Sequence, residues 1–418
     1  MIGRSIAVQF LLAVSSLGAY AQTGGDQPAS ATESVTPGFP AGKTAVQTPF
    51  ELLGNAIYVS ARMNGRGPFL FVLDTGSCCS VLASELADQL GVNPQGEMKG
   101  TGAGSSSNKM GLVKGKIEFA FAGGLTLSTE DANTLSLAGA WPLIGRPFYG
   151  IVGYDVLKDV VVQIDYDKRI VTFYSPATYK YSGKGEAFKT KLEMDYDPQF
   201  AGAFTVTGLK PVSTVFTIDT GAGGTIINAP LVKANHLIEQ VREKLPSPSH
   251  GAGEGQSDDL AGRIASIRLG PYELERPLVA LSQDTDGSLA MESIGVNLGG
   301  NLLRRFTVTI DYPGGTVVLE PNSHFADPFP ADASGLVLSA EGDDFRTFVV
   351  RGIVAGSPAA GAGMKVGDIV TAIDGEPVKQ FALWEVQDLL KNSGHSVKLS
   401  VRRSSRFLTC ELSLRSLV

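Results

Sequence analysis

The feature of this sequence that most constrains its fold is an internal duplication. An apolar run ends in "VLDTGS" at residues 72–77, and a second one ends in "TIDTGA" at residues 217–222. Further along, "GYDVLKDVVVQIDYDKRIVTFY" (153–174) matches "GGNLLRRFTVTIDYPGGTVVLE" (299–320). The first pair of blocks is offset by 145 residues and the second by 146. A repeat with nearly constant spacing predicts two copies of one supersecondary unit.

Each copy has the same internal order. A hairpin of β-type residues is followed by Asp-Thr-Gly, a glycine-rich segment, an apolar stretch with glycine and a final hairpin of β-branched residues. The glycine-rich segments, 99–107 and 249–257, are typical of hairpin tips because glycine tolerates positive φ. A phosphate-binding loop is the alternative, but neither segment has its Lys-Ser/Thr ending. We therefore predict a mainly β fold with two pseudo-symmetric lobes, residues 48–183 and 184–322.

The N-terminal segment has the composition of a targeting signal. Residues 1–21 contain an arginine, a short apolar run and an Ala-x-Ala ending, which indicates a signal peptide cleaved before Gln22. A membrane anchor is the alternative, but the run is shorter than the ~20 residues that span a bilayer. We expect an exported protein, periplasmic or secreted, with a flexible leader at residues 22–47.

The charge of the chain argues against some partners. The formal net charge is −7, and no long basic run is present, which argues against nucleic acid as the main partner. Beyond the N-terminus no apolar run reaches the length of a membrane span, so we expect no stable membrane insertion.

The residues that could hold a metal are few and scattered. The cysteines, Cys78, Cys79 and Cys410, form neither a disulfide framework nor a four-cysteine zinc site. Because neighbouring cysteines do not have the usual Cα separation of a disulfide, we expect Cys78 and Cys79 to be unlinked. The four histidines lack metal-ligand spacing, and "DTDG" at 284–287 predicts a surface turn instead of a calcium loop. We predict no metal and no cofactor.

The two Asp-Thr-Gly motifs place a carboxyl group at the end of each apolar strand. One such motif alone is explained by turn chemistry, since Asp and Gly both favour tight turns. Two pseudo-symmetric units, in contrast, can bring Asp74 and Asp219 together at a shared axis. Two carboxyl groups in contact share one proton and titrate as a coupled pair. The charged member can then take a proton from water, while the neutral member hydrogen-bonds the carbonyl that the water attacks.

These motifs carry a resemblance to a known family. "DTGS" at 74–77 and "DTGA" at 219–222, with their apolar flanks, resemble the signature of retropepsin-like (pepsin-type) aspartic proteases. The apolar-apolar-Gly element of that family matches Ile151-Val152-Gly153 and is followed by "YDVL". In the second copy we assign the corresponding element to Leu298-Gly299-Gly300, followed by "NLL".

The resemblance implies a bilobal aspartic protease and a role for each motif residue. Asp74 and Asp219 form the catalytic dyad, and Thr75 and Thr220 cross-bond the two active loops. The other supporting residues are Gly76, Ser77, Gly221 and Ala222. Two flaps close over a bound peptide and exclude water. The glycines assigned to these flaps are Gly100, Gly102, Gly104, Gly251, Gly253 and Gly255.

The C-terminal part of the chain has a different pattern. After a proline-rich linker at residues 323–333, residues 334–418 change from helical to strand periodicity, with a helix near 383–390, as expected of a compact α+β domain. "SPAAGAGMKVGDIVTAIDG" (357–375) and "SGLVL" (334–338) resemble a PDZ domain of the bacterial exported-protease type. Such domains bind the C-terminal ends of peptides, a role that the resemblance assigns to Gly335, Leu336, Val337 and Leu338. A purely structural appendage is the alternative.

Together these features predict an aspartic endopeptidase that acts on peptides or unfolded protein and carries a PDZ domain for recruitment. Because both copies lie in one chain, a homodimer should be unnecessary, although pairing of lobes between two chains is an alternative. A further alternative is a catalytically inactive scaffold that keeps the protease fold and only binds peptides. A shared proton between the two carboxyl groups predicts a bell-shaped dependence of the rate on pH.

Overall fold

The computed structural model describes residues 11–12, 36–102, 104, 107–247, 249–251 and 256–418. Most of the predicted signal peptide and leader, with the cleavage site, therefore lies outside the described residues. Strand β1 (Leu11–Leu12) is described, and so is the leader from residue 36 onward. Gly38 and Thr126 exchange two main-chain hydrogen bonds of 2.8 and 3.0 Å, and strand β2 begins at Ala45. The expectation of a flexible leader is wrong for this last part, because these bonds tie it to the first lobe.

The first lobe is built around a closed six-stranded barrel. Its strands are β2 (Ala45–Leu53), β3 (Ala56–Met63), β4 (Arg66–Leu73), β5 (Val81–Ala83), β6 (Glu97–Thr101), β7 (Ser107–Phe121), β8 (Thr126–Leu135), β9 (Gly150–Val152), β10 (Val161–Asp165) and β11 (Ile170–Tyr174). Its helices are α1 (Ser84–Leu90), α2 (Trp141–Ile144) and α3 (Tyr154–Leu157). The barrel closes in the order β3-β4-β9-β5-β8-β7, because β7 returns to pair with β3.

The second lobe repeats this order of elements. Its strands are β12 (Glu186–Lys189), β13 (Lys191–Glu193), β14 (Asp197–Thr205), β15 (Val212–Ile218), β16 (Thr225–Ile227), β17 (Lys244–Pro246), β18 (Ser249–His250), β19 (Gln256–Ser257), β20 (Leu260–Arg263), β21 (Ser266–Leu269), β22 (Tyr272–Glu275), β23 (Leu278–Leu281), β24 (Val296–Leu298), β25 (Phe306–Asp311) and β26 (Thr316–Pro321). Its helices are α4 (Ala229–Ala234), α5 (Leu237–Gln240) and α6 (Gly300–Leu303). The pairings of β15 with β24 and of β16 with β24 and β23 repeat those of β4 with β9 and of β5 with β9 and β8.

A pseudo-twofold axis relates the two lobes. Strands β10 and β25 pair in antiparallel fashion with Gln163 opposite Thr309, and these residues are 146 positions apart, which is the offset of the second repeated block. The Gln163 Nε2 donates to Thr309 Oγ1 at 3.2 Å. The sheet extends outward from this pair in the order β12-β26-β25-β10-β11-β2. The predicted mainly β fold with two pseudo-symmetric lobes is therefore confirmed within one chain.

The strands that reach the axis are apolar for a packing reason. Along β4 the side chains change from exposed at Arg66 to fully buried at Leu73, and β5, β9, β16 and β24 are buried along their whole length. A strand that is covered on both faces has no solvent side, so it needs a continuous apolar run instead of an alternating one. The carboxyl groups at the ends of these runs consequently lie inside the protein.

The segment predicted as a linker is held by a buried arginine. Arg305 is fully buried, and its guanidinium donates to the main-chain oxygens of His324, Asp327 and Pro328 at 2.5 to 2.9 Å. The same group stacks over the ring of Phe329 at 3.6 Å. Because a guanidinium has five N–H donors, one arginine can hold several carbonyls of an irregular segment in place.

The C-terminal domain has a core of its own. Its strands are β27 (Leu336–Glu341), β28 (Thr347–Ile353), β29 (Ile369–Ile373), β30 (Glu376–Pro377), β31 (Ser396–Arg403) and β32 (Arg406–Ser413). Its helices are α7 (Pro358–Gly361) and α8 (Leu383–Leu389), so the predicted helix near 383–390 is confirmed. The Ser357 side chain caps α7 by accepting from Ala360 N at 3.3 Å, which explains why the helix begins there.

The C-terminal domain also contacts the first lobe. Helix α2 lies beside β27, and the Gly145 Cα lies so close to Leu383 that a Cβ at this position would be 2.7 Å from the leucine Cβ. Gly145 also has a φ of +83°, which favours glycine. The first lobe therefore packs against β27 and against Leu383, the first residue of α8.

Candidate active site

Asp74 and Asp219 occupy equivalent positions where the two lobes meet. Asp74 follows β4 and its main-chain N donates to Val152 O at 3.0 Å, while Asp219 follows β15 and its N donates to Leu298 O at 3.0 Å. Both side chains are almost completely buried, with 1% and 0% of their surface exposed. Each of the two duplicated strands thus places one carboxyl group at the buried interface between the lobes.

The threonines of the two motifs join the loops to each other. Thr75 Oγ1 donates to Ile218 O at 2.8 Å, and Thr220 Oγ1 donates to Leu73 O at 2.6 Å. The main-chain N of each threonine donates to the hydroxyl of the other at 3.2 Å. Each hydroxyl therefore serves both as donor and as acceptor across the lobe interface.

The motif glycines allow the carboxyl groups to approach the opposite loop. A Cβ on Gly76 would be 2.8 Å from the Asp219 Cγ, and a Cβ on Gly221 would collide with the Asp74 carboxyl group. The same glycines donate their main-chain N to the carboxyl group of their own motif, at 2.9 Å for Asp74 Oδ1 and 3.0 Å for Asp219 Oδ1. Any larger residue at either position would push the two carboxyl groups apart.

The two carboxyl groups lie close enough for their titrations to be coupled. Each one lies against the glycine of the opposite motif, so that a Cβ on Gly76 would be 2.8 Å from the Asp219 Cγ and a Cβ on Gly221 would collide with the Asp74 Cγ. Burial, followed by the charge of Asp219, raises the pKa of Asp74 well above its usual range. Burial also raises the pKa of Asp219, but hydrogen bonds from Asn297 and Ala222 oppose this effect. The pair can therefore keep one charged and one neutral member at the same pH.

The surroundings of the two carboxyl groups are not symmetric. The Ser77 hydroxyl donates to Cys79 O at 2.9 Å and not to Asp74, and the second motif has Ala222 at this place. Ala222 N donates to Asp219 Oδ1 at 2.9 Å, and Asn297 Nδ2 donates to Asp219 Oδ2 at 2.7 Å. Asn297 is thus a polar side chain in the site that the sequence did not single out.

The structure corrects the register that the sequence suggested for the second apolar element. Leu298 pairs with Ile218 as Val152 pairs with Leu73, so Ile151-Val152-Gly153 corresponds to 297–299 and not to 298–300. Our assignment of Leu298-Gly299-Gly300 was wrong by one residue. If the offset of 146 residues from the neighbouring block had been kept, Asn297 would have been assigned as the equivalent of Ile151 in the second lobe.

The cysteines next to the first motif are linked, contrary to expectation. Cys78 and Cys79 form a disulfide bond between neighbouring residues, whereas Cys410 is a free, buried cysteine. Both bonded residues are half-buried in the loop that leaves the Asp74 motif. The Cys78 main-chain O accepts from Asp155 N at 3.3 Å, which attaches this loop to α3.

The first predicted flap crosses to the second lobe. Gly100, Gly102 and Gly104 lie at the tip of the hairpin formed by β6 and β7. Gly102 O accepts from Ser288 N at 3.2 Å, and Gly104 N donates to Asp284 Oδ2 at 3.0 Å. Asp284 is buried, whereas Thr285 and Asp286 are exposed, so the segment predicted as a surface turn at 284–287 departs from that expectation only at its first residue.

The second predicted flap is only partly described. Gly251 follows β18 and is buried, whereas Gly253 and Gly255 lie outside the described residues. Strand β18 pairs in parallel with β1, so an extended segment of the chain's own N-terminus lies against this hairpin. Whether these glycines act as flaps stays a prediction.

A third buried carboxyl group lies near the pair. Asp197, the first residue of β14, has no exposed surface, and neither of its oxygens meets a hydrogen-bond donor among the described residues. The hydroxyl groups of Tyr196 and Tyr312 are likewise buried without a partner in this part of the chain. Burial, followed by the charge of Asp219, raises the pKa of Asp197 well above its usual range.

The loop assigned to peptide binding in the C-terminal domain is already occupied by a carboxyl group. Asp332 Oδ1 accepts from Ser334 N at 3.2 Å, and Asp332 Oδ2 accepts from Gly335 N at 2.5 Å. Leu336 N donates to the Ser334 hydroxyl at 3.0 Å. Three amides at the start of β27 are thus satisfied inside the chain. Of the assigned residues, Val337 and Leu338 continue into β27.

A cavity of about 430 Å³ lies between this loop and the two lobes. One wall is formed by Leu336 and Leu338 of β27, and another by Gly223 and Gly224, which continue the Asp219 loop. Arg304 adds a positive charge to the rim. The loop assigned to peptide binding therefore faces the residues that continue the Asp219 loop.

The described residues give no sign of a metal site or a membrane span. No group of three or more His, Cys, Asp or Glu side chains is placed to bind a metal within this part of the chain. The histidines whose side chains are described, His236, His324 and His395, are exposed, and His324 contacts Asp167 and Asp327. None of the helices described is long and apolar enough to cross a bilayer.

Comparison with protein families agrees with this division of the chain. A family model described as an aspartyl protease matches residues 59–156, which include the Asp74 loop, and one described as a PDZ domain matches residues 349–403. The chain thus contains an aspartyl protease-like domain and a C-terminal PDZ domain. The two matches together cover less than half of the chain, and neither includes Asp219.

Curated relatives are similar to a large part of the chain. The periplasmic serine endoprotease DegP of Salmonella typhimurium is 23% identical over 330 residues, and that of Escherichia coli K12 is 22% identical over 331 residues. These alignments cover 77% of this chain but only 60% of each relative, so the chain spans about 60% of their length.

Two solved structures also align with this protein. The basic 7S globulin from soybean aligns with a TM-score of 0.40 at 9% identity, covering 68% of this chain and 97% of the globulin. The aspartic proteinase from Irpex lacteus aligns with a TM-score of 0.45 at 12% identity, covering 68% of this chain and 99% of the proteinase.

Proposed function

We propose that this protein is an aspartic-type endopeptidase that hydrolyses peptide bonds between Asp74 and Asp219. The observation that carries the proposal is the meeting of two buried carboxyl groups from duplicated loops, each packed against the glycine of the opposite motif. A pair of this kind presents a base and an acid at one place without a metal or a covalent intermediate. The threonine bonds between the loops and the two motif glycines support this geometry.

The proposed reaction follows from the shared proton. A water molecule between the carboxyl groups gives a proton to the charged member, and its oxygen forms a bond to the peptide carbonyl carbon. The neutral member hydrogen-bonds and protonates the carbonyl oxygen. The carboxyl group that took the proton of the water then gives it to the amide nitrogen, while a hydroxyl of the tetrahedral intermediate returns a proton to the other carboxylate. As the C=O bond re-forms, the C–N bond breaks, which gives a carboxyl and an amino terminus and restores the starting pair. The flap from β6 and β7 reaches across to residues 284–288 and can exclude other water.

The substrates that we propose are peptides and unfolded protein, with the PDZ domain recruiting them or a partner peptide. The presence of a PDZ domain and the similarity to endoproteases support peptide or protein binding. The same relatives are named as periplasmic, which supports the proposal of an exported protein. The domain boundaries given by the sequence, 48–183, 184–322 and 334–418, remain proposals of ours.

Single substitutions in the full chain test this function. Asp74→Asn and Asp219→Asn should each abolish cleavage of an unfolded protein, assayed from acidic to neutral pH. Asp343→Asn, on the exposed surface of the PDZ domain, serves as the matched control and should retain the full rate. Equal cleavage by the wild type and all three variants would exclude this dyad.

Two further results distinguish the alternatives. The curated relatives are named as serine endoproteases, so a serine-directed covalent inhibitor is an informative test. Under the proposed aspartic mechanism this inhibitor should leave the rate unchanged. Inhibition by it, with retention of activity in Asp74→Asn, would indicate a serine enzyme. Binding of peptides without any turnover by the wild-type chain would instead indicate the inactive scaffold.

A further inference from the structure

The hydrogen-bond donors around the two carboxyl groups are distributed unequally. Asp219 accepts from Gly221 N and Ala222 N on Oδ1 and from Asn297 Nδ2 on Oδ2. Asp74 accepts from Gly76 N on Oδ1, while its Oδ2 meets no donor among the described residues. Sequence duplication alone would have given two equal environments, so the difference comes from a few substituted positions.

Asn297 is the side chain that accounts for much of this difference. It lies in β24, opposite Thr217 of β15 and Ile226 of β16, and only 4% of its surface is exposed. Its counterpart in the first lobe is Ile151, which has no donor. The second lobe therefore has an amide where the first has an aliphatic side chain.

The number of donors on each carboxyl group indicates which of them is charged. An ionised carboxylate can only accept hydrogen bonds, whereas a protonated one also donates. Asn297 presents its NH₂ group to Asp219 Oδ2 at 2.7 Å, so this oxygen acts as an acceptor. Donors that reach a carboxylate favour its charged form, and Asp219 has three donors against one for Asp74.

We propose that Asn297 is a positioning residue that fixes the negative charge of the pair on Asp219 and the shared proton on Asp74. Asp219 is then the base that takes the proton of the attacking water. Asp74 is the acid that hydrogen-bonds the peptide carbonyl oxygen through the oxygen that lacks other donors. This inference rests on the proposed peptidase function and assigns separate roles to the two carboxyl groups.

Among the described residues, the titratable groups whose interaction with Asp219 is resolved are carboxyl and hydroxyl groups. The carboxyl groups are those of Asp74, from the opposite motif, and of Asp197, the first residue of β14. The tyrosines close enough to sense the Asp219 charge are Tyr166, Tyr196 and Tyr312. Each of these groups is neutral or negative. Loss of the Asn297 donor should therefore raise the pKa of Asp219 without compensation from a neighbouring cation.

The test is the pH profile of kcat/KM for matched variants of the full chain. Asn297→Leu should move the acidic limb to higher pH by about one unit, which is about a tenfold loss of rate below that limb. The maximal kcat/KM on the plateau of the profile should change less than the rate on the acidic limb. Ile151→Asn adds a donor on the Asp74 side and should move the basic limb to lower pH. A purely structural role of Asn297 would lower the plateau and leave both limbs in place.

A second measurement does not depend on activity. In the Asp74→Asn protein, which lacks turnover under the proposed function, ¹³C NMR can follow the titration of Asp219 with and without Asn297→Leu. We expect a higher pKa of Asp219 in the double variant. An unchanged titration would overturn the role of Asn297 even if the enzyme is active. A shifted titration in a protein without peptidase activity would support Asn297 and reject only the proposed function.

Discussion

Thr75 and Thr220 each donate their hydroxyl proton to a main-chain oxygen of the opposite lobe, at 2.8 and 2.6 Å, and accept from the amide of the other threonine. The four bonds are completely buried. They form a direct link between the lobes at the place where the carboxyl groups meet. A change at either threonine should consequently affect both the stability of the lobe interface and the distance between Asp74 and Asp219.

We predict that Thr75→Val lowers the free energy of unfolding by about 1–3 kcal/mol, because it leaves the Ile218 carbonyl and the Thr220 amide buried without a partner. Urea denaturation followed by circular dichroism measures this change. Thr75→Ser keeps the hydroxyl and should lose much less stability. If the valine and serine variants were equally stable, the cross-lobe hydrogen bonds would not contribute as the geometry indicates.

The proposed catalytic pair predicts a rate that depends on pH in a bell shape. Below the lower limb both carboxyl groups are protonated and no base is present, and above the upper limb both are charged and no acid is present. Since burial raises the pKa of Asp74 and of Asp219, the active range should lie at higher pH than the ordinary pKa of ~4 of exposed carboxyl groups. Measurement of kcat/KM over the acidic and neutral range tests this, and a flat profile would contradict proton sharing.

The duplication made a large part of this architecture predictable. Its near-constant offset required two equivalent units, and equivalent units place Asp74 and Asp219 on the axis that relates them. The roles of Thr75 and Thr220 followed from a resemblance, and their observed bonds agree with it. Repeated sequence carries this information because it specifies which long-range contacts must be equivalent.

The remaining features depend on contacts that no local pattern encodes. Asn297 looks like an ordinary polar residue in "GVNLGG", and only the register of β24 against β15 turns its amide towards Asp219. The burial of Arg305 depends on the path of residues 324–329, which the prolines alone suggested to be a loose linker. The Cys78–Cys79 bond was rejected because of a general separation rule, which this pair of neighbours does not follow.

The third buried carboxyl group gives a prediction about stability. Burial raises the pKa of Asp197, so the folded protein keeps this group neutral over a pH range in which the unfolded chain, with a pKa of ~3.9, has it charged. The folded state then binds more protons, and its stability falls as the pH rises from about 3.9 through the raised pKa.

Asp197→Asn removes this loss because an amide has no charge to bury. We expect the variant to be more stable than the wild type at pH 7 by at least about 1.4 kcal/mol, the free energy of one pKa unit. The difference should become small near pH ~3.5, where Asp197 is mostly neutral in the unfolded chain as well. Urea denaturation at both pH values provides the measurement, with the exposed Asp343→Asn as a control. A gain that is the same at both pH values would show that it does not arise from the ionisation of Asp197.

The PDZ domain gives the last prediction. Binding of a terminal carboxylate by this loop requires free amides, but Ser334 N and Gly335 N donate to Asp332. A peptide must therefore displace the Asp332 carboxyl group before its own carboxylate can accept these bonds.

We expect Asp332→Ala to increase the affinity of the full chain for peptides with a free C-terminal carboxylate by about tenfold, since a charge-assisted hydrogen bond contributes about 1.5–3 kcal/mol. Fluorescence anisotropy of a labelled peptide library gives the affinities, and the same peptides with an amidated C-terminus serve as controls that should not gain. Asp343→Asn should bind like the wild type. A weaker affinity of Asp332→Ala would contradict this prediction. It would mean that Asp332 holds the loop amides in the conformation that binds the peptide, and that losing this order outweighs the gain from freeing the amides.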